Sequence, residues 1–434
     1  MKNIFKNLGF AGIDKIAFLA LLLIAILAAR MLVSVRTKIE LSKPIALAGT
    51  GLAVSLPKGQ SWQSDSQWNY NNTSYVIVAG KTTAAATFIC HLANFQDSPE
   101  QYLENKFRQL EIYDKGEFSL GDKKVHWVQF ANLERFLSPQ KTIQYQKIYR
   151  IIALGNLNLS RQLEIRVESF DSSDSVSRIF AAIQKGLTYN DDPQLIEGIN
   201  FSGHFSSQIS AEPVVRQNSR YITKDSSGNP IGFYLEKLSH PAAENTTITS
   251  FEYIDNQNDG NTKIEELTFP ADLQSFSIKS KFEHQRDTRS EFYEIQYNHP
   301  VLQLHGITLA EPINLSVPVP PIPEYFYQII AESFYRGNSE SMIVDILDSR
   351  GRIVPTIFEK QPKDPNSLTR TIILRSLDNQ QTINHIILDS TGAMIKLVNL
   401  SSGYESTPAE NGEIEKLFPM WYEVIQSYNS KKLN

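Results

Sequence analysis

Cysteine is nearly absent from these 434 residues: Cys90 stands alone, so no internal disulfide can form and the core must carry the fold. That scarcity disfavours a eukaryotic secreted domain, suits a bacterial envelope protein, and leaves no cysteine near the start for a lipid anchor. Charge of one sign is missing too. Lys and Arg number 42 against 47 Asp and Glu, and no basic run interleaves with aromatics, which argues against a nucleic-acid partner. The common catalytic signatures are not there either: no G-x-S-x-G elbow, H-E-x-x-H pair, G-x-x-x-x-G-K cradle or G-x-G-x-x-G loop. The expectation is a protein without cofactor or catalysis.

What the chain does have is one long apolar run, residues 16–35, charged only at Arg30. About 20 residues at 1.5 Å rise span roughly 30 Å, a bilayer's hydrocarbon core. Arg30 lies near one end, where its side chain snorkels. The run predicts an uncleaved single-pass anchor behind a short cytoplasmic tail, together residues 1–38. A large C-terminal body then lies on the periplasmic or extracellular side. The competing reading is a cleaved signal peptide, since 16–29 alone has that length; no A-x-A follows it closely, Ala46-Leu47-Ala48 being too far downstream.

The body divides at Asp191-Asp192-Pro193, giving domains 45–192 and 198–428. In the first, Ser98-Pro99-Glu100-Gln101 has the form of a capping box, opening a helix with Leu103, Phe107 and Leu110 on one face. A closing helix near Asp174 carries Val176, Ile179, Phe180, Ile183 and Leu187 at helical spacing, with Ser177, Arg178 and Gln184 outward. Around these helices lie β-prone runs, so an α+β domain with an antiparallel sheet is expected. Its opening, "GLAVSLPKGQSW", and its element order resemble the PsbP-like fold family. That resemblance implies a non-enzymatic accessory or assembly role and carries over no catalytic residue.

The second domain reads as nearly all strand. Asp225-Ser226-Ser227-Gly228, Asp348-Ser349-Arg350-Gly351 and Asp389-Ser390-Thr391-Gly392 each join β-prone runs. Asp bonds its own backbone and Gly takes the left-handed position, so three hairpins are expected. A proline-rich stretch, 318–323, reads as a stiff crossover before one helix, 324–336, ended by Gly337. The segment "RYITKDSSGNPIGFYLEKL" with a late helix looks like a lipoprotein-carrier (Lol-type) curved sheet, which implies an apolar cavity between concave face and helix. The expected fold is therefore α+β: transmembrane helix, α+β domain, then a mostly β domain with one crossover helix.

Chemistry-bearing residues are few. Cys90 and His91 are strand neighbours pointing to opposite faces, so adjacency makes no nucleophile–base pair, and Cys90 reads as core. The histidines, among them His284, His299 and His305, show no ligand spacing. Asp255-Asn256-Gln257-Asn258-Asp259-Gly260 with Glu266 has calcium-loop spacing, but Gln at position 3, Thr262 at position 8 and strand flanks favour a plain hairpin, and no metal is expected. The 324–336 helix is apolar nearly all round. Tyr325, Phe326, Ile329, Ile330 and Phe334 are its candidate ligand or partner surface, against burial between the sheet and a neighbour such as "LFPMWYEVI". The leading functional expectation is a membrane-anchored, non-catalytic envelope protein acting as a binding, assembly or scaffold module. Its partners would be the membrane and an envelope protein. The alternatives are a carrier of lipid or another apolar ligand in the second domain, and an enzyme whose site gathers distant segments. A dry groove would mark the carrier, a buried polar cluster the enzyme, and exposed aromatic patches the adaptor.

Overall fold

The computed structural model describes residues 18–26, 39–59, 61–69, 74–93, 96, 98–137, 143–208, 220–239, 245–256, 259–270, 273–284, 289–306, 312–362, 367–377 and 382–429. Among them are 27 strands, which far outweigh the helices. The α+β expectation is corrected to a mostly β molecule, because short Asp/Gly turns let the chain add strand upon strand. The membrane anchor is corrected as well. Residues 18–26 form an exposed helix, and the rest of the 1–38 segment lies outside the described residues. Among the described residues no helix is long and apolar enough to cross a membrane.

Seven antiparallel strands form the first sheet, in the order Gln63–Asn69, Ser74–Lys81, Ala84–His91, Arg161–Ser169, Ile143–Asn158, Lys123–Leu137 and Glu111–Leu120. Cys90 opposes Leu163, Phe88 opposes Ile165 and Ala86 opposes Val167, so alternate residues bury one face. Against it packs the helix Ser173–Lys185, opened by the Ser172 side chain accepting from the Ser175 N–H at 3.1 Å. Val176, Ile179, Phe180 and Ile183 are buried there, while Ser177 is half-buried on Gln129. Gly186 ends the helix, and Leu187 begins a strand instead of continuing it. The other helix, Pro99–Phe107, lays Leu103 and Phe107 on Val128 and Phe130, yet Ser98 makes no side-chain cap bond, so the capping box is not formed.

Fifteen strands form the second sheet. One meander of eight runs from Arg220–Lys224 to Ile313–Ser316; another of six runs from Ser341–Leu347 to Tyr404–Pro408. The two join where Arg220–Lys224 pairs with Tyr404–Pro408, and the short strand Ile322–Pro323 adds the parallel fifteenth beside Ser341–Leu347. All three expected hairpin turns are present. Asp225, Asp348 and Asp389 accept backbone N–H bonds through their side chains, and Gly228, Gly351 and Gly392 take φ of 85°, 82° and 88°.

The helix Tyr327–Arg336 lies on the inner faces of both meanders. Phe326, Ile330, Ala331 and Phe334 are fully enclosed, which explains an apolar character on nearly every side. A further helix, Pro193–Gln208, begins at the expected domain boundary, where no helix was expected. Asp192 caps it through Oδ1 to the Gln194 N–H at 2.9 Å, with Pro193 at its first position. It crosses Ser341–Leu347 with Gly198 against the Ile343 carbonyl and ends with Phe205 edge-on to Phe326.

Candidate ligand cavity in the fifteen-stranded sheet

Alternation along Arg220–Lys224, Pro230–Ser239 and Asn245–Asn256 separates an apolar from a polar face. The apolar face, with Ile222, Phe233, Leu235, Phe251 and Tyr253, is covered by the C-terminal helices through Ile414, Phe418, Trp421 and Ile425. Rings there approach closely, Phe233–Phe418 at 5.0 Å and Tyr253–Trp421 at 4.9 Å between centroids. "LFPMWYEVI" therefore covers the outside of the sheet and not the crossover helix. The polar face turns inward.

Inside lies a cavity of ≈ 290 Å³. Tyr221, Thr223, Tyr234, Glu236, Ser250, Glu252, Lys263 and Glu265 supply its polar wall from four neighbouring strands. Cross-strand register places Tyr234 opposite Glu252, Glu252 opposite Lys263, and Ser250 opposite Glu265. Facing them, the crossover segment contributes Glu324, Tyr325, Tyr327, Gln328 and Ile329, and the second meander adds Ile386, Met394, Leu397 and Ser406. Thr223 and Ser406 hydroxyls meet at 3.0 Å across the seam between meanders. The lining thus joins a polar wall to an apolar patch, Ile329, Ile386, Met394 and Leu397, on the facing side.

An ion-pair network holds the polar wall. Lys263 Nζ lies 2.7 Å from Glu324 Oε1 and 3.3 Å from Glu265 Oε2. Ser349, in the Asp348–Gly351 turn, donates to Glu324, and Ser280 donates to Glu265. The same turn puts Arg350 on Glu291 at 3.2 Å and over the Phe282 ring at 5.0 Å, tying the second meander to the first. Burial opposes charge on Lys263, but Glu324, Glu265 and Glu252 more than reverse this and raise its pKa. For Glu324, burial is outweighed by Lys263 and Ser349, and the carboxyl falls below its ordinary value. Glu265 and Glu252 rise, chiefly through burial, with Lys263 opposing and Glu324 adding to the rise.

Of the five residues expected to face a ligand, Tyr325 and Ile329 line the cavity, whereas Phe326, Ile330 and Phe334 are core. The carboxylate–lysine wall was missed. Its signal was the alternation Tyr234/Glu236, Ser250/Glu252 and Lys263/Glu265 along three successive strands. Cys90 is enclosed, and burial pushes its thiol up to about 12. His91 bonds Glu164 at 2.8 Å, outside the cavity. In the calcium-like segment Asp255 opposes Gly260 in a hairpin, residues 257–258 lying outside the described residues. Glu266 stands six strand positions beyond Gly260, roughly 20 Å away, too far to close a loop site. Among the described residues no three His, Cys, Asp or Glu side chains gather as a metal site.

No protein-family model, PsbP-like and Lol-type included, and no curated protein matches the chain. The solved structures similar to parts of it include two from bacteria. A β-barrel-like protein of domain of unknown function DUF1849 from Brucella abortus is 10% identical, covering 45% of this chain and 96% of that one, with a TM-score of 0.33. A DUF1089 family protein from Pseudomonas aeruginosa is 8% identical, covering 37% of this chain and 87% of that one, with a TM-score of 0.25.

Proposed function

We propose that the protein is a non-catalytic binding module whose large sheet holds a small amphipathic molecule. The observation that carries this is the cavity between sheet and crossover helix, whose lining joins a charged cluster to an apolar patch. Its volume equals that of roughly ten water molecules, near the lower end of ligand sites. A long acyl chain fits poorly, because it would lie against Glu236, Glu252, Lys263 and Glu265 with no bond to offer them. That weighs against the lipid-carrier alternative. Catalysis is disfavoured because Lys263 and Ser349 are both engaged by Glu324, and the thiol of Cys90 is sealed in the other sheet.

The test is native mass spectrometry of protein purified from its own cells, beside an Ile329→Trp variant that fills the cavity. Wild-type protein should retain a small molecule that the variant lacks. Identical bare masses, with no small molecule in a thermal-shift panel discriminating the two proteins, would sink the reading.

A second reading, an adaptor, is favoured by one specific surface. Leu133, Ile143 and Tyr145 are 68%, 48% and 69% exposed and share one face of the long hairpin formed by Lys123–Leu137 and Ile143–Asn158. Apolar side chains kept together in water suit a protein partner.

A further inference from the structure

We propose that the cavity's ligand is an organic amine with a compact apolar body, its ammonium held at Glu252. This rests on the reading of the cavity as a binding site and names the chemistry that would fill it. Four carboxyl groups, Glu236, Glu252, Glu265 and Glu324, line the cavity against one ammonium, that of Lys263. Lys263 is committed to Glu324 and Glu265, and those two take further bonds from Ser349 and Ser280. Glu252 is different. Half-buried on the cavity wall between Tyr234 and Lys263, it accepts no hydrogen bond from any described residue.

The Glu252 oxygens are open to the cavity, and an ammonium there would supply three N–H donors and a positive charge beyond the one that Lys263 shares among three carboxyl groups. The surroundings suit a cation in other ways. Tyr234 lies opposite Glu252, with Tyr221 next to it at 6.1 Å between ring centroids, and Tyr325 and Tyr327 also line the cavity, so the site is rich in aromatic rings that attract a positive group. Across the cavity, Ile329, Ile386, Met394 and Leu397 would take the apolar body. A bare metal ion is the poorer fit, since the carboxylates do not converge into a group of three.

Calorimetry and thermal shift with hexylamine, hexanol and hexanoate, three probes of one size differing in charge, test the assignment. Hexylamine should bind at least about tenfold more tightly than hexanol, and hexanoate should not bind. Glu252→Gln keeps the shape and removes the charge; it should weaken hexylamine about tenfold while leaving hexanol unchanged. Ile329→Trp should abolish binding of both. Hexanol binding as well as hexylamine, with both lost in Ile329→Trp, would overturn the amine assignment and leave the cavity reading standing. Hexylamine binding unaltered by either substitution would overturn both. An unfolded Glu252→Gln protein, seen by circular dichroism, would assign Glu252 to the fold and also defeat the proposal.

Discussion

Glu164 carries an ion pair whose worth depends on pH. Its side chain is 11% exposed, and burial alone would raise its pKa. Hydrogen bonds from His91 at 2.8 Å and Arg166 at 2.6 Å outweigh burial and bring it down to about 2 from an ordinary 4.5. A depressed carboxylate stabilises the fold above its unfolded pKa and loses that contribution as pH falls through the folded one. Stability should therefore decline between about pH 4.5 and 2, by about 3 kcal/mol from this group. Urea titrations across that window should show a shallower decline in Glu164→Gln. Equal slopes in the two proteins would remove Glu164 as the cause.

Among the elements, the Pro193–Gln208 helix tests packing against propensity. A Cβ on Gly198 would lie 1.6 Å from the Ile343 carbonyl oxygen, while one on Gly203 meets nothing within 4 Å. Alanine should gain up to about 1 kcal/mol at Gly203 through helix propensity. At Gly198 the same substitution should lose about 2 kcal/mol or more, because a helix must move off a strand. Denaturant midpoints that shifted together would contradict this backbone contact. The two glycines also explain why the helix was illegible in sequence: they look like breakers, yet one is the point of contact. By contrast, the hairpin turns were legible because Asp and Gly act within four residues. The cavity wall was hidden for another reason. Alternation in "GFYLEKL" and "TSFEYI" reveals two unlike faces but not which one points inward, and here the C-terminal helices cover the apolar one.

At the scale of the whole molecule, Arg161 couples the two sheets. It is fully buried and forks onto Asp345 at 2.8 and 2.9 Å, while also donating to the Gly49 and Ser160 carbonyls. Leu92 and Ala93, just past the first sheet, join the core of the second. Removing one partner of such a pair strands a charge, so Arg161→Met should cost about 3–5 kcal/mol. The double variant Arg161→Met/Asp345→Leu should recover most of it, because two apolar groups leave nothing unpaired. Calorimetric unfolding of the two variants checks this, and equal losses would assign the cost to packing alone.

The seam between the meanders has a kinetic consequence. Every other antiparallel junction in the large sheet joins strands adjacent in the chain, each closing a short loop; Lys224 and Glu405 pair across roughly 180 residues. Hairpins of this kind form in microseconds, whereas long-range pairing waits on the search of the whole intervening chain. The seam is the slow, late step, and until it closes two bare strand edges remain open to the edges of other chains. A single sheet thereby carries both the fastest and the slowest events of its own assembly.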